Sequence, residues 1–223
     1  LALKRRVLAE TEAVIAADAV FASNTSALPI SRIAEGARHP ERVLGMHYFS
    51  PVPKMPLLEI VVTERTAGWA LDSARSYGIA QGKTVIVVKD GPGFYTTRIL
   101  APFLNEAILL LDEGADIEAL DRALKGFGFP VGPIALLDEV GIDVGAHVAQ
   151  DLGAAFLERG LGASPSMPKL LAAGYAGRKN GKGFYAYPAP GEKKGRKRVN
   201  QDVYAFFGGA ARKSVAADEM ADR

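Results

Sequence analysis

His47 and Glu59, twelve residues apart, are the pair in this chain best suited to moving a proton. His47 lies in VLGMHYFSP, an apolar run that ends in prolines, and Glu59 lies in LLEIVV, an apolar run with no structural need of a carboxylate. An imidazole titrates near neutral pH. A carboxylate on one ring nitrogen fixes the tautomer, orients the ring, and stabilises the imidazolium once the other nitrogen takes a proton. Pro51, Pro53 and Pro56 fall between the two residues and suit a connection, not a helix or a central strand. Strands on either side of that connection would bring the pair together. The same spacing also fits a core histidine and a strand glutamate that are merely neighbours, and spacing alone does not separate the two.

The elements that must position the pair alternate between α and β. LALKRRVLAETEAVIAAD has helical period over about residues 3–17 and carries Glu10 and Glu12, so it reads as an amphipathic helix and not as a targeting segment. VFAS is a short strand followed by the polar turn SNTSALP, ISRIAEGA is a short helix, and VLGMHYF and LLEIVV are strands. TAGWALDSARSYGIAQG is a helix that stops at Gly82. TVIVVKD is a β-branched run of the kind found in parallel strands covered on both faces. Alternation of this sort implies an α/β sheet, whose ligands gather outside the carboxyl ends of its strands. Asn24–Ser26 and His47 fall at such ends.

At DGPGF (residues 90–94) the pattern turns helical. FYTTRILAPFLNEAILLLDEG predicts one long helix kinked at Pro102, Asp116 caps a second, PVGPIALLDEVGIDVGAHVAQDLGAAFLERG supplies a third and PKLLAAG a fourth. The expected organisation is an α/β unit over 1–89, a helical unit over 90–190, and a linker with the start of a further helical domain over 191–223. In that last stretch Ser214 is the candidate cap of a helix too short to pack. The chain opens inside a helical pattern and closes on another, which is the expectation for part of a longer polypeptide.

Composition removes several function classes. A net charge of +2 gives no reason to expect a nucleic-acid partner. The absence of cysteine excludes disulfides, thiolate nucleophiles and Cys-type zinc sites, and His39, His47 and His147 lack metal-ligand spacing, so no metal is expected. No apolar run approaches the ~18 residues of a membrane span, and a soluble intracellular protein is expected. The basic stretch EKKGRKRVN reads as a solvated loop rather than a phosphate patch. GRKNGKGF lacks the spacing of a Walker loop, and its expected role is to close the helical unit so that Phe184, Tyr185 and Tyr187 pack back.

FASNTSALPIS, GMHYFSPVPKMPLLEIV, DGPGFYTTRILAPFLNEA, FGFPVGPIALLDEVGIDV and GRKNGKGFYAY together resemble the L-3-hydroxyacyl-CoA dehydrogenase family. Within it they are most similar to the dehydrogenase region of multifunctional fatty-acid oxidation enzymes, over roughly residues 1–190. The resemblance implies a truncated Rossmann-type sheet lacking its first strands, followed by an all-α dehydrogenase C-terminal domain. It implies an NAD-dependent oxidation of 3-hydroxyacyl-CoA in β-oxidation, in the cytoplasm or, in a eukaryote, the mitochondrion. Enoyl-CoA hydratase activity elsewhere in the polypeptide, and a thiolase subunit or self-association as partner, are implied too. His47 matches the family's general base and Glu59 its partner carboxylate. Ser26 matches a hydroxyl touching substrate and cofactor, and Lys4 a lysine near the cofactor. Ser50 and Thr97 stand where many members carry asparagine: Ser50 at a cofactor contact, Thr97 at a substrate contact.

A GxGxxG turn with an acid ~20 residues on, which holds the pyrophosphate and ribose of a dinucleotide, does not occur in this sequence. The 223-residue chain alone is therefore not expected to bind NADH. Two other readings bear on function. The helical region can be a non-catalytic assembly module of the oxidation complex. The chain can also belong to another hydroxy-acid dehydrogenase type, but those use a catalytic lysine in the helical region, and HYFSPVP…LLEIV argues against them.

Overall fold

The computed structural model describes residues 1–187, 198–210 and 212–223. The apolar runs of the first half form a four-stranded sheet in the order β1 (Phe21–Ser23), β2 (Val43–Tyr48), β3 (Leu57–Val62), β4 (Thr84–Lys89). β1 runs parallel to β2, β2 antiparallel to β3, and β3 parallel to β4. β2 and β3 are central and buried along most of their length, which is why their sequences are apolar almost throughout. One face packs Val43 and Val61 with Leu8 of α1 (Ala2–Glu12), Ile30 and Ile33 of α2 (Ile30–Ile33), and Phe94. The other packs Leu44, Met46, Leu58 and Ile60 with Ala70 and Ala74 of α3 (Gly68–Ala80). A Cβ on Gly45 would lie 2.9 Å from both Ile30 Cδ1 and Val61 Cβ, so the close approach of α2 to β2 requires glycine there.

Two expectations change in this unit. β4 is parallel to β3 as expected, but it is only partly buried. Among the described strands it pairs only with β3, Val85 and Val88 pack on opposite faces, and Val87 is 46% exposed. α1 stops at Glu12 instead of near residue 17, and the buried Glu12 carboxylate accepts the N–H groups of Arg38 and His39 and faces Arg42. Asp90, the first residue of DGPGF, accepts the N–H groups of Ile30 (2.7 Å) and Ser31 (2.8 Å) and so caps α2 from a distance in sequence.

The chain divides into two compact units, Leu1–Arg98 and Ile99–Arg223. The boundary falls inside α4 (Thr96–Asp112): Phe94 is buried against the first unit's core, and Tyr95 and Thr96 bond to Glu59. Pro102 lies within α4. The second unit adds α5 (Ile117–Phe127), α6 (Pro133–Val140), α7 (Ile142–Leu157), α8 (Met167–Ala172) and α9 (Ala217–Asp222), with a two-residue ladder of β5 (Tyr185–Ala186) and β6 (Arg198–Val199). The single third helix expected from sequence is two, α6 and α7, broken at Gly141, whose φ of 106° no helix accommodates. Leu111, Ile117, Leu120, Ile134, Leu170, Phe184 and Val203 form its fully buried centre.

Buried and half-buried carboxylates organise this unit. Asp116 caps α5 through Ala119 N–H and accepts from Tyr204 Oη at 2.6 Å. Asp121 accepts from the first N–H groups of α6 and from Tyr185 Oη. Asp138 accepts the N–H groups of Phe184 and Tyr185 and the Tyr187 hydroxyl, each at 2.9 Å. Burial and these carboxylates push the Tyr185 and Tyr187 phenols well above their ordinary range. The aromatic end of GRKNGKGFYAY thus packs back as expected.

The described tail packs on the helical unit. Arg212 donates to the carbonyls of Leu111, Ala115, Phe207 and Gly209, and Met220 of α9 is 4% exposed. Arg223 pairs with Glu106 and Glu113. The N-cap of α9 is Ala216, not Ser214, with no side-chain cap, and Met220 packs into the core that holds Leu120 and Leu124 of α5. Of the basic stretch 192–200, residues up to 197 lie outside the described residues, and Arg198 and Val199 form β6. A Cβ on Gly132 would meet Asp121 atoms at 2.3–2.4 Å. Gly132→Ala is therefore expected to cost about 1–3 kcal/mol by overpacking, read as a lower denaturation midpoint at constant m-value. An unchanged midpoint would show that Asp121 can yield without loss.

Candidate active site

The antiparallel register of β2 and β3 makes His47 and Glu59 direct cross-strand partners, so both side chains leave the same face. His47 Nδ1 lies 2.6 Å from Glu59 Oε2, with His47 4% and Glu59 0% exposed. Glu59 Oε1 accepts the N–H groups of Tyr95 (3.2 Å) and Thr96 (2.9 Å), at the start of α4 where helix donors lack intrahelical partners. Glu59 Oε2 also accepts from Thr96 Oγ1 at 2.7 Å. Burial pushes the Glu59 carboxyl up, but the hydrogen bonds from His47 and Thr96 and the charge of His47 outweigh it and hold the carboxyl below its ordinary value. Glu59 is therefore ionised at neutral pH, Nδ1 carries the imidazole proton, and Nε2 presents a lone pair. That lone pair faces Ser26 Oγ at 3.1 Å, an exposed hydroxyl on the turn after β1. Phe49 and Phe94 flank the imidazole, with ring centroids 4.4 and 6.0 Å away. A base oriented by a buried carboxylate, its free nitrogen open toward an exposed hydroxyl, can accept a proton from a bound alcohol.

Lys4 reaches the same end of the sheet. Its Nζ donates to Ser23 Oγ and to the Asn24 carbonyl, each at 3.0 Å, and partial burial lowers the pKa of its ammonium. Asn24 Oδ1 accepts Tyr48 N–H at 3.2 Å and ties the turn to the end of β2. Lys4, Ser26, His47 and Glu59 thus gather at the carboxyl ends of β1 and β2, or on the strand residue facing them. Ser50 sits exposed after β2 and Thr97 is half-buried in the first turn of α4, and neither joins the hydrogen-bonded cluster. Thr96, the neighbour of Thr97, is the residue that reaches Glu59, and sequence reasoning missed it. A helix start needs acceptors for its free N–H groups, and Glu59 was the one carboxylate without a structural reason; joining the two would have found Thr96. Among the described residues, no group of three or more His, Asp or Glu is placed to hold a metal ion, and no helix is long and apolar enough to cross a membrane.

Two family models match in tandem. Residues 1–91 match the 3-hydroxyacyl-CoA dehydrogenase NAD binding domain, and residues 93–187 match the 3-hydroxyacyl-CoA dehydrogenase C-terminal domain. The fatty acid oxidation complex subunit alpha of Shewanella halifaxensis is 50% identical over all of this chain, and that of Shewanella putrefaciens 49%. The chain spans 31% of the length of each of these relatives. Among solved structures, M. tuberculosis FadB2 superposes with a TM-score of 0.80 at 37% identity, covering 84% of this chain and 67% of its own. The (S)-3-hydroxybutyryl-CoA dehydrogenase PaaH1 of Ralstonia eutropha superposes at 0.79 and 36%, with the same coverage. With the His–Glu pair, the fold and these likenesses in agreement, the chain belongs to the 3-hydroxyacyl-CoA dehydrogenase family.

Proposed function

We propose that this chain is the dehydrogenase region of a longer multifunctional polypeptide that oxidises 3-hydroxyacyl-CoA to 3-ketoacyl-CoA with NAD in fatty-acid β-oxidation. The observation that carries the reading is the oriented base: His47 Nδ1 on ionised Glu59, and Nε2 open toward Ser26. In this role His47 Nε2 takes the proton of the substrate 3-hydroxyl as the C3–H bond breaks, and Glu59 stabilises the imidazolium so formed. NAD, when bound, supplies the acceptor for the hydrogen and electron pair leaving C3. Ser26 orients the hydroxyl, and Phe49 and Phe94 limit water around the imidazole.

The residues present fit one side of that cofactor. The Lys4 ammonium and the Ser26 hydroxyl, at the carboxyl end of β1, would hold its nicotinamide side, with Ser50 as a further contact from the loop after β2. Thr97 is assigned to the acyl-CoA side. The pyrophosphate cradle has no counterpart in this sequence. The proposed setting is the cytoplasm, in line with the bacterial relatives.

In the full-length polypeptide carrying this segment, mixing 3-hydroxyacyl-CoA with NAD is expected to raise absorbance at the NADH wavelength in proportion to enzyme. No NADH from a folded enzyme would sink the reading. A second role, docking of the helical unit to a thiolase subunit or a second copy, is favoured by one observation: Phe127 is 66% exposed and Phe129 38%, at a groove lined by Leu110, Leu124 and Met220 and by the charged Glu106 and Arg223.

A further inference from the structure

The Glu59 carboxylate carries four donors: His47 Nδ1 and Thr96 Oγ1 on Oε2, and the N–H groups of Tyr95 and Thr96 on Oε1. A carboxylate has about four lone-pair sites, so its accepting capacity is filled. Two of the donors share a single oxygen, and one of those two is the catalytic imidazole. We propose that Thr96 is a positioning residue whose hydroxyl, acting through Glu59, sets the basicity of His47. This rests on the reading of His47 as the base.

A hydroxyl donating to Oε2 draws charge from the oxygen that faces the imidazole. The pair's attraction for a proton on Nε2 is therefore smaller than a carboxylate with only one partner on that oxygen would give. The backbone donors on Oε1 hold the carboxylate in place whether or not the hydroxyl is present, so the hydroxyl adjusts charge where the backbone fixes position. The groups facing the imidazole are few. Glu59 comes from β3, Ser26 from the turn after β1, and the uncharged rings of Phe49 and Phe94 from the loops after β2 and before α4. α1 brings Lys4 to this end of the sheet, bound to Ser23 and Asn24. Thr97, one residue on, makes no bond in this cluster, which separates the two threonines of FYTTR by function.

The test is the titration of His47 by NMR in the 223-residue chain, where the exposed His39 and His147 serve as internal references and His47→Gln assigns the signal. Thr96→Val keeps the shape and removes the hydroxyl. Loss of one hydrogen bond, worth about 0.5–1.5 kcal/mol, corresponds to a rise of roughly 0.4–1 pH unit in the His47 midpoint, with both references unmoved. Thr96→Ser restores the donor and is expected to return the midpoint to the parent value. In the complete enzyme, the acid limb of kcat/KM moves the same way. An unchanged or lowered His47 midpoint in Thr96→Val overturns the proposal, as does a Thr96→Ser variant that behaves like valine. Unaltered turnover in His47→Gln would instead remove the base assignment and leave the titration result standing.

Discussion

Replacing His47 with glutamine in the complete polypeptide is expected to lower kcat for 3-hydroxyacyl-CoA oxidation at least ~10²-fold, the usual scale for a lost general base. Glutamine keeps the length and a hydrogen-bonding amide, so Ser26 and the substrate hydroxyl still find a partner. It offers no basic lone pair where Nε2 stood, and Glu59, held by Tyr95 and Thr96 on the Nδ1 side of the ring, lies away from the Ser26 side where the substrate hydroxyl is proposed to sit. The loss belongs to the chemical step, so kcat is expected to fall more than KM changes. Steady-state kinetics on the folded variant reads this directly. A rate within a few-fold of the parent would mean that another group takes the proton and that the buried His47–Glu59 pair is only a strand-pairing device.

The second large effect concerns the chain as its 223 residues stand. Titrated with NADH by fluorescence, it is expected to show no saturable binding in the micromolar range. A dinucleotide gains much of its affinity from a glycine turn whose N–H groups meet the pyrophosphate at a helix N-terminus. Hydrogen bonds to a charged group contribute ~1.5–3 kcal/mol each, so forgoing several weakens binding by several orders of magnitude. Lys4 and Ser26, proposed for the nicotinamide end, would not replace that cradle. Saturable micromolar binding would show that the residues at the ends of β1 and β2 suffice, and that the glycine turn matters less here than its chemistry suggests.

Much of the site was legible in the sequence because it follows strand periodicity. A histidine and a glutamate on two apolar runs, with prolines between, fix which residues can be cross-strand partners, and the register bears this out. The family resemblance added Ser26 and Lys4, which spacing alone would have left as a turn serine and a surface cation. What stayed hidden arises from contacts distant in sequence. Asp90 capping α2, Thr96 bonding Glu59 and Arg212 gripping four carbonyls join residues 37 to 101 positions apart in their longest links, where no local pattern points. Gly141 was misread for a different reason. A helical period ran on across it, and only its backbone conformation shows that α6 ends there. β4 looked like a fully buried strand because β-branched residues suit a pleated surface at the edge of a sheet as well as at its centre.

The direct pairing of His47 with Glu59 also sets where insertions and deletions can be tolerated. Beyond Phe49 and Ser50, the six residues from Pro51 to Pro56 close the connection between two strands whose partners are fixed by their own side-chain alternation. That loop can lengthen or shorten among homologues without moving the pair. One residue gained or lost inside β2 or β3 is another matter: the downstream side chains change face, and one member of the pair turns to the side packed on α3. Length variation in this stretch should therefore be confined to the loop, and a homologue with an odd change within either strand should have lost the base even where both residue types remain.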